Sequence, residues 1–113
     1  MSLSNEQRAF TYKVGKLIIF AYDELNAELT FGDAYRDPRL HGEFGVSKGY
    51  GAKASVHKLR LAVDFNLFFN GKYVTSSSHK IWKKLHSYWC AIGGAETINN
   101  DANHFSCRHR GHR

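Results

Sequence analysis

Apolar residues in the first part of the chain recur in steps of three and four. Phe10, Val14, Leu17, Ile18, Ala21, Tyr22 and Leu25 share one face of a predicted helix of about six turns. Ser4 is the expected N-cap, with Gln7 as its capping-box partner. Leu29 and Phe31 then alternate with Glu28 and Thr30, which predicts a short strand. The longest alternation runs through Leu59, Leu61, Val63, Phe65, Leu67 and Phe69, with Arg60, Ala62, Asp64, Asn66 and Phe68 between them. A period of two sustained this long predicts a strand with one core face and one mixed face. Asn70-Gly71 is a type I′ hairpin signal, and Lys72 to Thr75 is the expected returning strand.

Ser76 to Ser78 offer N-caps for a second helix, whose stripe is Ile81, Leu85, Tyr88, Trp89 and Ile92. Trp82 joins Trp89 as a core or half-buried residue, and Gly93-Gly94 closes the helix. A polar loop from Ala95 to Asn103 leads to a last short strand, His104 to Cys107. Between the first strand and the long alternation lies a glycine-rich segment, Asp33 to Ala54, which reads as a long irregular loop. Loops of that length inside small domains are often functional. The pattern predicts an α+β fold: a small antiparallel sheet, one helix before it and another packed on one face. Residues 1–113 form a single domain, with 108–113 as a frayed basic tail.

Composition adds a basic surface. The net charge is +6 with histidines neutral, which favours polyanionic partners without choosing among nucleic acid, anionic lipid and a cell envelope. Cys90 and Cys107 form no C-x-x-C pair, so a four-cysteine zinc site and a thioredoxin-like motif are excluded. They read as two reduced thiols, one of them in a helix core. The N-terminal MSLSNEQRAF lacks the basic and apolar regions of a signal peptide. The apolar run Leu17 to Tyr22 is too short to enter a membrane as a span. The expectation is a chain made in a cytoplasm, acting outside only once released.

The candidate chemistry centres on the mixed face of the long strand. Asp64 stands there beside the small Ala62, and His57 lies just before the strand. His57 and Asp64 have opposite parity on an ideal strand, so they converge only if the chain bends between them. His104 opens the last strand, after a loop containing Asp101. Two histidines and a carboxylate with a fourth position open are the ligand set of a catalytic zinc. Each residue alone has an ordinary reading: a surface histidine, a solvated strand aspartate, a turn aspartate among Asn99, Asn100 and Asn103.

Order and spacing change that weighting. Ser55 to Asp64, SVHKLRLAVD, resembles the S-x-H-x-x-G-x-A-x-D signature of the LAS zinc peptidases. Asp101-Ala102-Asn103-His104-Phe105 resembles the family's second signature, an acidic residue three before a histidine. Tyr35-Arg36 matches its arginine element. The family includes D-Ala-D-Ala carboxypeptidases, vancomycin-resistance dipeptidases and phage L-alanyl-D-glutamate endopeptidases. The resemblance spans roughly residues 25–106. It implies Zn²⁺ held by His57, Asp64 and His104 on the open face of the sheet, under the long loop. Asp101 is then the general base, Arg36 the transition-state stabiliser and Ser55 a substrate contact. Arg60 departs from the signature at its glycine, and Ser106 stands where many relatives carry Glu or Gln.

The short, basic, leaderless chain is most like the phage endolysin branch. The implied function is cleavage of bacterial peptidoglycan stem peptides by a monomer. L-alanyl-D-glutamate endopeptidase activity is favoured over D-Ala-D-Ala carboxypeptidase on family habit alone. The rival from another class is a basic nucleic-acid-binding module, using the RHRGHR tail and the lysines of 80–84. It has no need of His57, Asp64, Asp101 and His104 at this spacing, so no nucleic-acid partner is expected. A catalytically dead relative is a second rival, though all five key residues are present. His41, His79 and His86 lack partners at ligand spacing and read as surface residues. His109 and His112 read as solvated tail, and Glu43 as a loop residue that could line the cleft.

Overall fold

The computed structural model describes residues 2–32, 59–98 and 101–109. The expectations for Arg36, His41, Glu43, Ser55, His57 and His112, and for the loop 33–54, lie outside the described residues.

Helix α1 spans Leu3–Glu24 and buries Phe10, Leu17 and Ala21. Its N-cap is Ser2, whose Oγ accepts the Asn5 N–H at 3.2 Å. The expected cap, Ser4, is already inside the helix. Gln7 makes no capping box; its Nε2 donates to the Leu59 carbonyl at 2.8 Å. That bond ties the first turns of α1 to the segment leading into the central strand. At the other end Asn26, at φ +52°, turns the chain into the sheet. Asparagine tolerates this left-handed conformation better than most residues.

The sheet is antiparallel and built on one strand. β1 (Ala27–Phe31) pairs with β2 (Ala62–Phe69), Phe31 opposite Phe65. β3 (Lys72–Tyr73) and β4 (His104–Ser106) also pair with β2, at its two ends. β1 takes one edge of β2, so β3 and β4 share the other in tandem. Asn70 at φ +54° and Gly71 at φ +76° form the tight turn expected between β2 and β3. The returning strand is shorter than expected. Beyond Tyr73 only the Val74 N–H reaches back, to the Leu67 carbonyl at 2.8 Å. β2 also starts later than its apolar alternation, because Arg60 at φ +58° breaks the extended run before Ala62.

Helix α2 spans Lys80–Ala91 and is capped by His79, whose Nδ1 accepts the Ile81 N–H at 3.2 Å. Ser76 and Ser78 bond each other instead and shape the preceding turn. Trp82, expected in the core, is buried with Ile81, Leu85 and Trp89. Trp89 is fully buried and meets Phe10 and Phe105 edge-on at ring distances of 5.8 and 5.9 Å. Both cysteines are free thiols, but Cys90 is exposed on α2 rather than in its core, and Cys107 is half-buried. Among the described residues no helix is long and apolar enough to cross a membrane. The architecture is the α+β arrangement expected, two helices on a small antiparallel sheet.

The two glycines after α2 serve different ends. Gly93 takes the left-handed C-cap conformation at φ +101°. Gly94 lies flat against the Trp89 indole, where a Cβ would overlap Nε1 and Cδ1 of the ring. The indole cannot step aside, because Nε1 donates to the Ser106 carbonyl at 2.8 Å. Gly94→Ala is expected to lower unfolding stability by about 1–3 kcal/mol, the usual cost of overpacking a closed core. Urea denaturation checks this; an unchanged midpoint would show that the indole has room.

Candidate metal centre

At Asp64 the central strand has a neighbour on each side. The Gly32 N–H donates to the Asp64 carbonyl at 2.7 Å from the β1 side. His104 is its register partner on the β4 side. The two side chains therefore leave the sheet on the same face. Asp64 Oδ1 lies 3.4 Å from His104 Nδ1, with the side chains 15% and 7% exposed. Ala62 pairs with Ser106 one step along the same face. The apolar residue between them, Phe105, points the other way and stacks in the core.

Asp101 reaches the same nitrogen from the turn before β4. Its Oδ2 is 4.0 Å from His104 Nδ1, and its side chain is 44% exposed, so it faces solvent as well as the ring. The turn is closely held. The Asp101 N–H donates to the Ile98 carbonyl, the His104 N–H to the Asp101 carbonyl at 3.1 Å, and the Phe65 N–H to the Asn103 carbonyl at 3.0 Å. Next to it lies a cleft of about 150 Å³, lined in part by Asn66, Asn103, Ser76 and Ser77.

An imidazole nitrogen and a carboxylate oxygen at 3.4 Å are beyond the usual hydrogen-bond range. Two donors of a tetrahedral zinc with bonds of about 2.0–2.1 Å stand roughly 3.3 Å apart. The pair therefore has a spacing that a metal can bridge. Among the described residues no three His, Cys, Asp or Glu side chains form a group able to hold a metal ion. The third expected ligand, His57, lies outside them, as do Arg36 and Ser55.

Arg60 stands where the signature resembled in this segment has glycine, and its φ is +58°. Left-handed backbone costs an ordinary L-residue roughly 1–2 kcal/mol and glycine almost nothing. Two residues later the strand begins and carries Asp64. The glycine position of that pattern thus corresponds to a backbone need in this chain, which Arg60 meets at some cost.

His86 also lies elsewhere than its sequence predicts. It was expected on the surface, yet it is 5% exposed. Its ring stacks on Phe105 at 4.1 Å and 10°, and Nε2 lies 2.6 Å from the Ala102 carbonyl. The carbonyl can only accept, so Nε2 carries the proton. The available signal was its spacing. Trp82, His86 and Trp89 follow one another at four and three residues, on the face buried by Leu85. The basic tail is also partly tied down. Arg108 pairs with Glu96, and His109 Nδ1 lies 3.1 Å from Glu6 Oε2.

Burial pushes the His86 pKa below its ordinary 6.5; the bond to Ala102 opposes this, His104 adds to it, and Asp101 works against it. The unfolded chain therefore takes up a proton near pH 6.5 that the folded chain refuses. Stability from this group is complete above that pH and is lost as pH falls towards the lower folded pKa. His86→Gln cannot titrate, so its urea midpoint is expected to fall less than that of the wild type between pH 7.5 and 5.5. Parallel pH profiles would assign the acid sensitivity to other groups.

No protein-family model matches this chain, and no curated protein matches it at a significant level.

Proposed function

We propose that this protein is a zinc peptidase that hydrolyses peptidoglycan stem peptides, with His57, Asp64 and His104 as metal ligands. The observation that carries this reading is the convergence of Asp64, His104 and Asp101. These residues come from two separate motifs, yet Oδ1 of one aspartate and Oδ2 of the other lie 3.4 and 4.0 Å from a single imidazole nitrogen. The left-handed backbone at Arg60 supports it independently, since it falls at the glycine of the first motif.

Position supports distinct roles for Asp64, His104 and Asp101, and the resemblance supplies the others. A zinc ion, when bound, supplies a Lewis acid for the scissile carbonyl and lowers the pKa of a coordinated water to about 7. Asp64 and His104 are the less exposed pair and would hold the ion together with His57. Asp101 is more exposed and farther from the ring, which suits a base. It accepts a proton from the attacking water and returns it to the amine that leaves as the peptide C–N bond breaks. Arg36, by the resemblance, places positive charge near the carbonyl oxygen as it becomes an oxyanion. By the same resemblance, Ser55 is a substrate contact.

Zinc content and turnover together test the assignment. The wild type is expected to bind one zinc per chain. His104→Ala should lose both metal and activity. Asp101→Asn should keep zinc and fold while losing on the order of 10²–10⁴ in rate. Near-normal turnover by Asp101→Asn would remove the aspartate from the mechanism. Mass spectrometry of digested peptidoglycan names the bond: new N-terminal D-Glu indicates the endopeptidase, and released D-Ala the carboxypeptidase.

A further inference from the structure

The turn that carries Asp101 presents three successive carbonyls, and each meets a different donor. The Asp101 carbonyl takes the His104 N–H at 3.1 Å, which closes the turn on itself. The Asn103 carbonyl takes the Phe65 N–H at 3.0 Å, which joins the turn to β2. The Ala102 carbonyl, between them, is 2.6 Å from His86 Nε2. Two donors are backbone groups fixed by the strand pairing. The third is a side chain from α2, on the far side of Phe105. Its ring lies parallel to the Phe105 ring at 4.1 Å, so the direction of the N–H is set by stacking. His86 Nδ1 is buried and has no hydrogen-bond partner among the described residues. A buried imidazole that uses one nitrogen and finds no partner for the other among the described residues is poorly explained by stability alone, since an apolar side chain would avoid that cost.

We propose that His86 is a positioning residue, which fixes the Asp101–His104 turn through Ala102 and so sets the distance between the Asp101 carboxylate and His104 Nδ1. This rests on the metal-site reading above, and it says why the base holds its place without being a ligand. Between Asp101 and His104 the turn has only Ala102 and Asn103. A rotation of the Ala102 peptide would swing the Asp101 side chain relative to the ring. The His86 bond opposes that rotation from the side of the turn that the sheet does not reach.

Three proteins and two measurements decide it: wild type, His86→Phe and His86→Gln. Phenylalanine keeps a flat ring on Phe105 and removes the donor; glutamine returns an N–H at similar reach. In the zinc-free proteins, hydrogen exchange of the His104 amide should quicken about tenfold in His86→Phe, with the β1–β2 amides unchanged, and recover in His86→Gln. Peptidase activity of the zinc-loaded protein should fall about 10–100-fold in His86→Phe, the usual effect of losing a partner outside the ligand set, and recover likewise. Unchanged exchange at His104, loosening spread evenly over the fold, or a glutamine variant no better than phenylalanine would each overturn the proposal. Absence of zinc from the wild type would refute the metal reading, while the exchange data would still decide the tether. If His86→Phe does not fold, the wild-type imidazole NMR spectrum decides. A slowly exchanging Nε2–H supports the tether and an Nδ1–H tautomer overturns it.

Discussion

The candidate site depends on the register of β4 against β2. Asp64 faces His104 only because Val63 faces Phe105 and Ala62 faces Ser106. A slip of one residue would turn His104 into the core and Phe105 out of it. The polar pair does not hold this register; the core does. Phe105 is 1% exposed and touches Trp89, Trp82, Phe65 and His86. The Trp89 indole donates to the Ser106 carbonyl, and the Cys107 N–H reaches the Leu61 carbonyl at 2.9 Å. A three-residue strand is thus clamped at its far end and packed at its middle. Its first residue, His104, has little freedom left.

The same arrangement explains why a polar cluster can stand at the margin of an apolar core. A carboxylate and an imidazole with 15% and 7% exposure have lost most of their water. Desolvation of such a pair cancels much of its mutual attraction, so it contributes little to folding. Functional sites commonly carry local arrangements that stability alone would not select. Arg60 at φ +58° is a second such cost, located where the chain enters β2. Both costs fall on or directly beside the segment that carries Asp64.

Much of the fold was legible because its patterns are long. The alternation through Phe65 and Leu67 identified the central strand, Asn70-Gly71 its hairpin, and Trp89 with Leu85 the buried face of α2. Caps were less legible. The observed cap Ser2 is chemically equal to the expected Ser4, and the start of α1 is fixed by tertiary contacts such as Gln7 with Leu59. Asp64 and Asp101 could be singled out only through motif spacing, since their approach to one histidine depends on a pairing between distant segments. His86 was missed for a different reason. A histidine on a helix is read by its polarity, whereas this one is placed by its neighbours at Trp82 and Trp89. Its partner, a backbone carbonyl in a turn, leaves no mark in the sequence.

Asp64 and Asp101 are the same residue type near the same nitrogen, and the backbone alone gives them different capacities. Asp64 sits within a strand paired on both edges. Its carboxylate can move only by side-chain rotation, and its Oδ1 is buried. That immobility suits a ligand, whose donor atom must stay within a few tenths of an ångström of its place. Asp101 sits in a turn and is 44% exposed, with its oxygen 4.0 Å from His104 Nδ1. Its exposure leaves the carboxylate open to bulk water and free to rotate, as the proposed base would require. A base needs that freedom, and it also needs a limit, because a carboxylate that drifted inward would become a competing ligand. The limit comes from the turn. Its carbonyls are tied to His104, His86 and Phe65, so Asp101 can swing its side chain but cannot carry its backbone toward the ring. Strand against turn, rather than any difference in chemistry, is what would separate the two proposed roles.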